Sequence, residues 1–411
     1  MPFEVLVALR FLKEGHTQTH LILSGIGVGV GVIVFLSALI GGLQESLIER
    51  TLGTQAHVVV RAPEDVVRPI AKPSPGEVVA PRLEQPAQRL RSIVGWPQTL
   101  DLLRSLPRVK AASPTVAGAA FALRGLANRS VSLRGIEPAS FRQIIDMSPR
   151  MTSGEFRVDA TNAVLGVELA ADLGVTVGDK VRLETPIGRS DVFLVAGIFD
   201  VGNKDLNERW VFVSLRAAQT LLDLAGGIST IELKVDEIFS AETVAAEITA
   251  RTGLTADSWM KLNRQLLVGL RSQSASSWMI QFFVVVAVAL GIASVLVVSV
   301  VQKSREIGIL MAMGTRKAQV LRIFLVQGGV LGLTGSLVGI AIGVGLSHFF
   351  ASLARNPDGS PTFPVNLSAG LFLGAAAVAT VTGLLARPTS ARIVLRSDAR
   401  RVGREGRAAW P

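Results

Sequence analysis

The stretch from Ser304 to Gly314 reads SREIGILMAMG, a charged opening, then apolar residues, then a glycine. Arg305 and Glu306 set a cation beside an acid, and Ile307, Ile309, Leu310 and Met313 supply apolar surface around Gly308. Residue types in this pattern suit recognition rather than bond making. A short amphipathic helix seats its apolar face in a partner's groove while its charges fix the register. Gly314 breaks the segment, and Arg316 and Lys317 restore positive charge after it. The same residues would also serve a plain connector lying at a membrane surface. In that reading Glu306 only completes the first helical turn, where an acid gains ~0.3–1 kcal/mol from the helix dipole.

Bond-making chemistry has no visible home. The G-x-x-x-x-G-K-[ST] phosphate loop, in which Lys and a hydroxyl serve phosphate and metal, does not occur. Neither does H-E-x-x-H or G-x-S-x-G. The glycines of GIGVGVGV lie inside an apolar run with no soluble strand ahead of them, so they form no dinucleotide loop. His16, His20, His57 and His348 are scattered, and cysteine is absent. The reading is therefore a non-catalytic chain with no metal site and no bound cofactor. Any ATP and magnesium it depends on belong to another chain.

Four apolar runs determine where the Ser304–Gly314 segment sits. Leu21–Leu43, Trp278–Val301, Ile323–Phe350 and Leu367–Leu385 carry no Asp, Glu, Lys or Arg. A hydrocarbon core of ~30 Å takes about 20 such residues in a helix. Mean hydropathy is +0.45, and only 18% of residues are charged, below the usual share for soluble domains. The first run exceeds the apolar length of a signal peptide and has no small-x-small cleavage site after it, so it reads as a retained anchor. Ion channels and ion-coupled carriers are disfavoured, because their paths need intramembrane charges.

Charge orients the chain. Arg10, Lys13, Lys303, Arg305, Arg316, Lys317, Arg322 and seven arginines from Arg387 onward crowd three short segments. By the positive-inside rule those segments are cytoplasmic. The expected order is a cytoplasmic amino terminus over 1–20, a spanning helix over 21–43 and an outside domain over 44–277. A second span over 278–301, a cytoplasmic loop over 302–322 and a third span over 323–350 follow. A short outside loop over 351–366, a fourth span over 367–386 and a basic cytoplasmic tail over 387–411 complete it. The fold class is thus a membrane protein with four transmembrane helices, one plus three, and a large mixed α+β domain outside. The net charge of +10 follows from this topology and from anionic headgroups, without any nucleic-acid partner.

Strands are expected at AHVVV, GAAFALRG, RSVSLRG, DVFLVAGIF, RWVFVSL and STIELKVD. TLDLLRSL and Ala241–Arg251 read as helices, and a turn falls at Gly178-Asp179. Six prolines between Pro63 and Pro86 mark an extended loop. A division into two subdomains is expected near residue 155. In the membrane, Gly25, Gly27, Gly29 and Gly31 lie in the first run, and Gly335, Gly339 and Gly343 recur at four-residue spacing in the third. Small residues at that spacing let helix backbones approach. Gly25, Gly29, Gly335, Gly339 and Gly343 are accordingly read as helix-packing or dimer-interface positions.

The stretch QKSREIGILMAMGTRKAQVLRIFLVQGGVLGLTGSLVGIAIG, Gln302 to Gly343, resembles the signature of the FtsX-domain permeases. That family includes MacB, FtsX and the lipoprotein-releasing LolC and LolE, and its R-E-I-x-x-L-x-x-x-G segment is a coupling helix. ALRFL (Ala8 to Leu12), LGTQAHVVV, SWMKLNRQLLVGLRSQ (Ser258 to Gln273) and RIFLVQGG (Arg322 to Gly329) are most similar to the LolC and LolE type. The resemblance implies that Arg305, Glu306, Ile307, Gly308, Leu310, Gly314 and Arg316 couple the chain to a separate ABC ATPase subunit. It implies a second permease chain (homodimer or LolC/LolE-like heterodimer), membrane lipids as surroundings, and a lipoprotein or other lipid-linked cargo. A periplasmic carrier or adaptor and an inner-membrane location with both termini cytoplasmic are also implied. The connection RLETPIGRSDVF is shorter than the carrier-engaging loop of LolC-type proteins, and the tail RPTSARIVLRSDARR departs from the usual ending. Efflux of MacB or DevC type and FtsX-like activation of cell-wall hydrolases stand as alternatives to cargo release.

Overall fold

The computed structural model describes residues 3–14, 16–63, 90–302, 304–353, 365–382 and 384. It falls into two compact units, one of Met1–Ile48 with Val268–Pro411 and one of Glu49–Leu267. The proline-rich segment over 64–89, the loop over 354–364 and the basic tail lie outside the described residues.

The chain starts with α1 (Phe3–Glu14) and α2 (His16–Leu52). α1 packs against the helix that holds the glycine stripe, burying Ala8. Its 12 residues are too few to span a bilayer, so apolar length alone gave no sign of it. α2 has 37 residues and rises about 55 Å at 1.5 Å per residue. It therefore starts before and ends after the apolar run expected over 21–43.

The second unit follows with β1 (Val58–Arg61), α3 (Trp96–Arg104), β2 (Val109–Arg124) and β3 (Ala127–Ile136). Next come α4 (Pro138–Ile144), β4 (Met151–Gly154), β5 (Asn162–Gly166) and α5 (Val167–Leu173). Then come β6 (Lys180–Glu184), β7 (Ser190–Phe199), α6 (Lys204–Arg209), β8 (Trp210–Ser214) and α7 (Leu215–Leu221). β9 (Thr230–Val235), α8 (Ala241–Thr252), β10 (Thr255–Ser258) and α9 (Trp259–Leu262) close it.

All ten strands join one sheet in the order β10-β1-β9-β2-β3-β8-β5-β7-β4, with β6 bridging β2 and β7. The bridge closes a six-stranded ring, β2-β3-β8-β5-β7-β6. β2 makes this possible by its length. Its first half pairs with β9, its second half with β3, and residues 121–123 also pair with β6. The β2–β3 hairpin turns on Gly125, whose φ of +57° is the left-handed region that tight hairpin loops require. Apolar residues alternate inward along β6 and β7, as a half-exposed strand dictates. β5 and β8, in the middle of the sheet, are buried almost throughout. Phe212 centres one core cluster, with Phe199 and Phe156 rings 5.5 Å away and Phe141 at 5.6 Å.

The expected strands and helices of this unit are present, but the division near residue 155 is not. Strands before that point (β2, β3) pair with strands after it (β6, β8, β9). Strand order differs from chain order, so a linker-like stretch in the sequence marks no boundary in the sheet.

The chain continues with α10 (Arg264–Gln302), α11 (Ser304–Ala312) and α12 (Lys317–Leu353), then α13 (Ala369–Thr382). Among the described residues three helical segments are long and apolar enough to cross a membrane: Thr19–Leu52, Arg264–Gly291 and Ala318–Leu353. The fourth expected span, over 367–386, is described as the shorter apolar helix α13, and the residues from 385 on lie outside the description.

Candidate functional site

α11 is a nine-residue helix with a defined stop. Thr315 donates its N–H to Leu310 O at 3.1 Å, and Gly314 donates to Met311 O at 3.1 Å. Gly314 has φ +94°. The two bonds and the left-handed glycine together form a Schellman cap, which satisfies the last carbonyls of the helix. α12 begins at once, and Gln319 Oε1 accepts from Arg316 N at 2.9 Å to close its first turn.

The faces of α11 differ. Met311 packs inward against Val320 and Phe324 of α12. Arg305, Ile309 and Met313 recur every fourth residue on the outer side, and Ile309 is 61% and Met313 74% exposed. Gly308 and Ala312 are exposed, as is Arg316, while Leu310 is half-buried. Glu306, also half-buried, sits in the first turn, where the dipole favours an acid. Ile307 lies in the helix, and its side chain is outside the description. The apolar side chains that α11 leaves exposed are therefore Ile309 and Met313, with Leu310 half-buried. Helical periodicity carries that signal, but the inner partners Val320 and Phe324 are needed to read it.

The glycines bring helices together within the chain. A Cβ on Gly335 would lie 2.6 Å from Ile26 Cγ2, one on Gly339 2.7 Å from Gly27 O, and one on Gly343 2.8 Å from Val34 Cβ. The α2 positions advance in step with the α12 positions, so the two helices run parallel. The α2 glycines in this seam are Gly27 and Gly31, with Gly31 facing Gly339 O and Ile342. Gly29 instead faces Val288 of α10, and a Cβ on Gly25 would meet nothing within 4 Å. On the far side of α12, a Cβ on Gly332 would lie 2.9 Å from Ala379 O of α13.

The chain matches the MacB-like periplasmic core domain over residues 19–251 and the FtsX-like permease C-terminal domain over residues 278–399. It belongs to this permease family. It is an ABC transporter permease of the FtsX/MacB/LolC group. LolC of Xylella fastidiosa is 26% identical over 367 residues, covering 84% of this chain and 82% of the relative. LolC of Neisseria meningitidis is 23% identical over 83% of this chain and 81% of the relative. The macrolide export ATP-binding/permease protein MacB of Nitrobacter winogradskyi is 26% identical over 94% of this chain and 58% of its own length. The solved periplasmic region of MacB from Actinobacillus actinomycetemcomitans aligns with a TM-score of 0.34 at 12% identity, covering 53% of this chain and 95% of that one.

In this permease a polar ladder joins α2 to α10, which the sequence reading did not single out. Gln44 Nε2 donates to Ser274 Oγ at 2.9 Å, and Gln281 Nε2 donates to Ser37 Oγ at 2.9 Å. With Gly29 and Val288 these contacts recur every seven or eight residues and run oppositely along the two helices. That is an antiparallel pair held by amide–hydroxyl bonds, the form of polar adhesion helices use in lipid. The directions put the start of α2, the end of α10 and the start of α12 on one side of the bundle, with α11 between the last two. Among the described residues no cluster of His, Cys, Asp and Glu could hold a metal ion.

Proposed function

We propose that this chain couples ATP hydrolysis by a separate ABC ATPase subunit to release of a lipoprotein, or another lipid-linked cargo, at the periplasmic face of the inner membrane. The observation that carries this reading is the LolC match, which runs through both domains and covers 82% of that relative. The proposed coupling element is α11, whose exposed Arg305, Ile309 and Met313 offer a groove-binding stripe. ATP and magnesium sit in the partner ATPase, and a second permease chain, identical or LolE-like, completes the assembly. Four spans, with both termini and α11 cytoplasmic, fit the helix directions and the basic residues on that side.

The test is reconstitution. The chain and the ATPase that copurifies with it are placed in proteoliposomes with a triacylated lipoprotein, and ATP-dependent transfer to the soluble fraction is measured. Hydrolysis with no transfer, with or without a soluble carrier, would overturn the proposal. The MacB match, spanning 94% of the chain, favours a second reading as an efflux permease. ATP-dependent loss of a small amphiphile in the same vesicles, with the lipoprotein unmoved, would establish that one.

A further inference from the structure

Three buried polar atoms without hydrogen-bond partners among the described residues meet at one place in the sheet: Thr115 Oγ1, Arg134 Nε and Glu232 Oε2. Register explains the convergence. β9 and β3 flank β2 on opposite edges, with Glu232 opposite Ser113 and Arg134 opposite Ala117. Side chains alternate along a strand, so Ser113, Thr115 and Ala117 share that face. The ion pair from Arg134 Nη2 to Glu232 Oε1 therefore crosses β2 over Thr115. Ser113 is already bonded to Ser140, Oγ to Oγ, at 3.0 Å. Thr115 is 0% and Glu232 5% exposed. The Arg134 guanidinium lies 4.6 Å from the Trp210 ring centroid, which covers it from the β8 side.

Each such group left dry carries a desolvation penalty, and three together over a central strand would be a heavy load for one site. We infer that a buried water molecule occupies this point and completes the bridge. The chemistry fits a neutral molecule with both donor and acceptor capacity. It would accept from Arg134 Nε, donate to Glu232 Oε2 and share a proton with the Thr115 hydroxyl, the three partners typical of internal water. A metal cation is disfavoured by the guanidinium already present. The consequence is architectural. Among the strands β9 pairs with β1 and β2, whereas β3 belongs to the closed ring. The watered bridge thus adds a side-chain tie from β9 to the ring across β2, alongside the packing of α4 on both β2 and β9.

Two measurements on the full chain test the inference. Thr115→Val keeps the shape and removes the hydroxyl, and Thr115→Ser keeps the hydroxyl. If water bridges the site, Thr115→Val unfolds at a temperature lower by about 2–4 °C, and Thr115→Ser loses less. If the hydroxyl is dry, Val relieves a desolvation penalty, so Thr115→Val melting at or above the wild-type temperature overturns the inference. A density map that shows ordered solvent elsewhere in the sheet should show a peak within hydrogen-bond reach of all three atoms. A map of that quality without the peak overturns it equally.

Discussion

A Cβ on Gly339 of α12 would stand 2.7 Å from the carbonyl oxygen of Gly27 on α2. No side chain fits there without moving backbone. Gly339→Leu is expected to push the two helices apart and cost about 1–3 kcal/mol or more of packing. Gly345→Leu is the control, because a Cβ there meets nothing within 4 Å. Thermal unfolding in detergent should show Gly339→Leu well below Gly345→Leu. Equal melting of the two would mean that the seam is not tightly packed.

How far the sequence reaches is clear at this seam. The stripe Gly335, Gly339, Gly343 is visible because four-residue spacing keeps one helix face. The α2 side is ambiguous, because Gly25 with Gly29 and Gly27 with Gly31 have the same spacing on nearly opposite faces. Only the neighbouring helices decide that Gly27 and Gly31 meet α12 while Gly29 meets α10. Single polar residues such as Ser37 and Gln281 leave no periodic trace, so their pairing was hidden. In the sheet the individual strands were legible from alternation, but the closure of β6 onto β2 joins residues about 60 apart, which no local pattern encodes.

Helix direction can be tested by cross-linking, since the chain has no cysteine of its own. Cysteines at Ser37 and Gln281, whose side chains bond at 2.9 Å, should form a disulfide under mild oxidation. Ser37 paired with Ser274, which lies at the level of Gln44 instead, should not, because helix geometry keeps them beyond the reach of one disulfide. Efficient cross-linking of the second pair, with none of the first, would place the two helices in another register.

Membrane orientation is tested by the same route. Leu126 at the tip of the β2–β3 hairpin and Ala312 at the end of α11 are both exposed. In intact spheroplasts an impermeant thiol reagent should label Leu126→Cys and spare Ala312→Cys. Disrupting the membrane should equalise them. The opposite pattern would invert the topology.

The two faces of α11 allow the proposed docking to be tested apart from folding. Ile309→Asp and Met313→Asp alter exposed residues, where substitutions usually shift stability by no more than about 0.5 kcal/mol. Both should melt like wild type yet lose tenfold or more of the copurifying ATPase. Met311→Ala opens the contact with Val320 and Phe324 and should instead lower the melting temperature. Glu306→Lys should reduce ATPase recovery if its charge takes part in docking, and leave it unchanged if the acid only serves the helix terminus. Full ATPase recovery with Ile309→Asp and Met313→Asp together would remove α11 as the coupling element.

His57 gives the sheet unit a pH dependence of definite sign. Burial lowers its pKa below the ordinary 6.5, and Lys234 and then Lys110 add to the effect. Val235 N donates to His57 Nδ1 at 3.3 Å, which needs the lone pair of a neutral ring. The site also ties strand ends together, since His57 O accepts from Trp259 N and His57 N donates to Leu233 O, each at 2.9 Å. An unfolded chain binds the proton near pH 6.5, while the folded chain takes it up only at lower pH. Stability from this residue is therefore complete above about 6.5 and declines as pH falls below it. Melting temperature followed from pH 7.5 to 5 should drop for the wild type, and His57→Gln should flatten the part of the curve just below 6.5. The other histidines, His16, His20 and His348, belong to the helical unit, so the change should appear in amide-exchange protection of β1 and β9. An unchanged slope in His57→Gln would assign the pH response to another group.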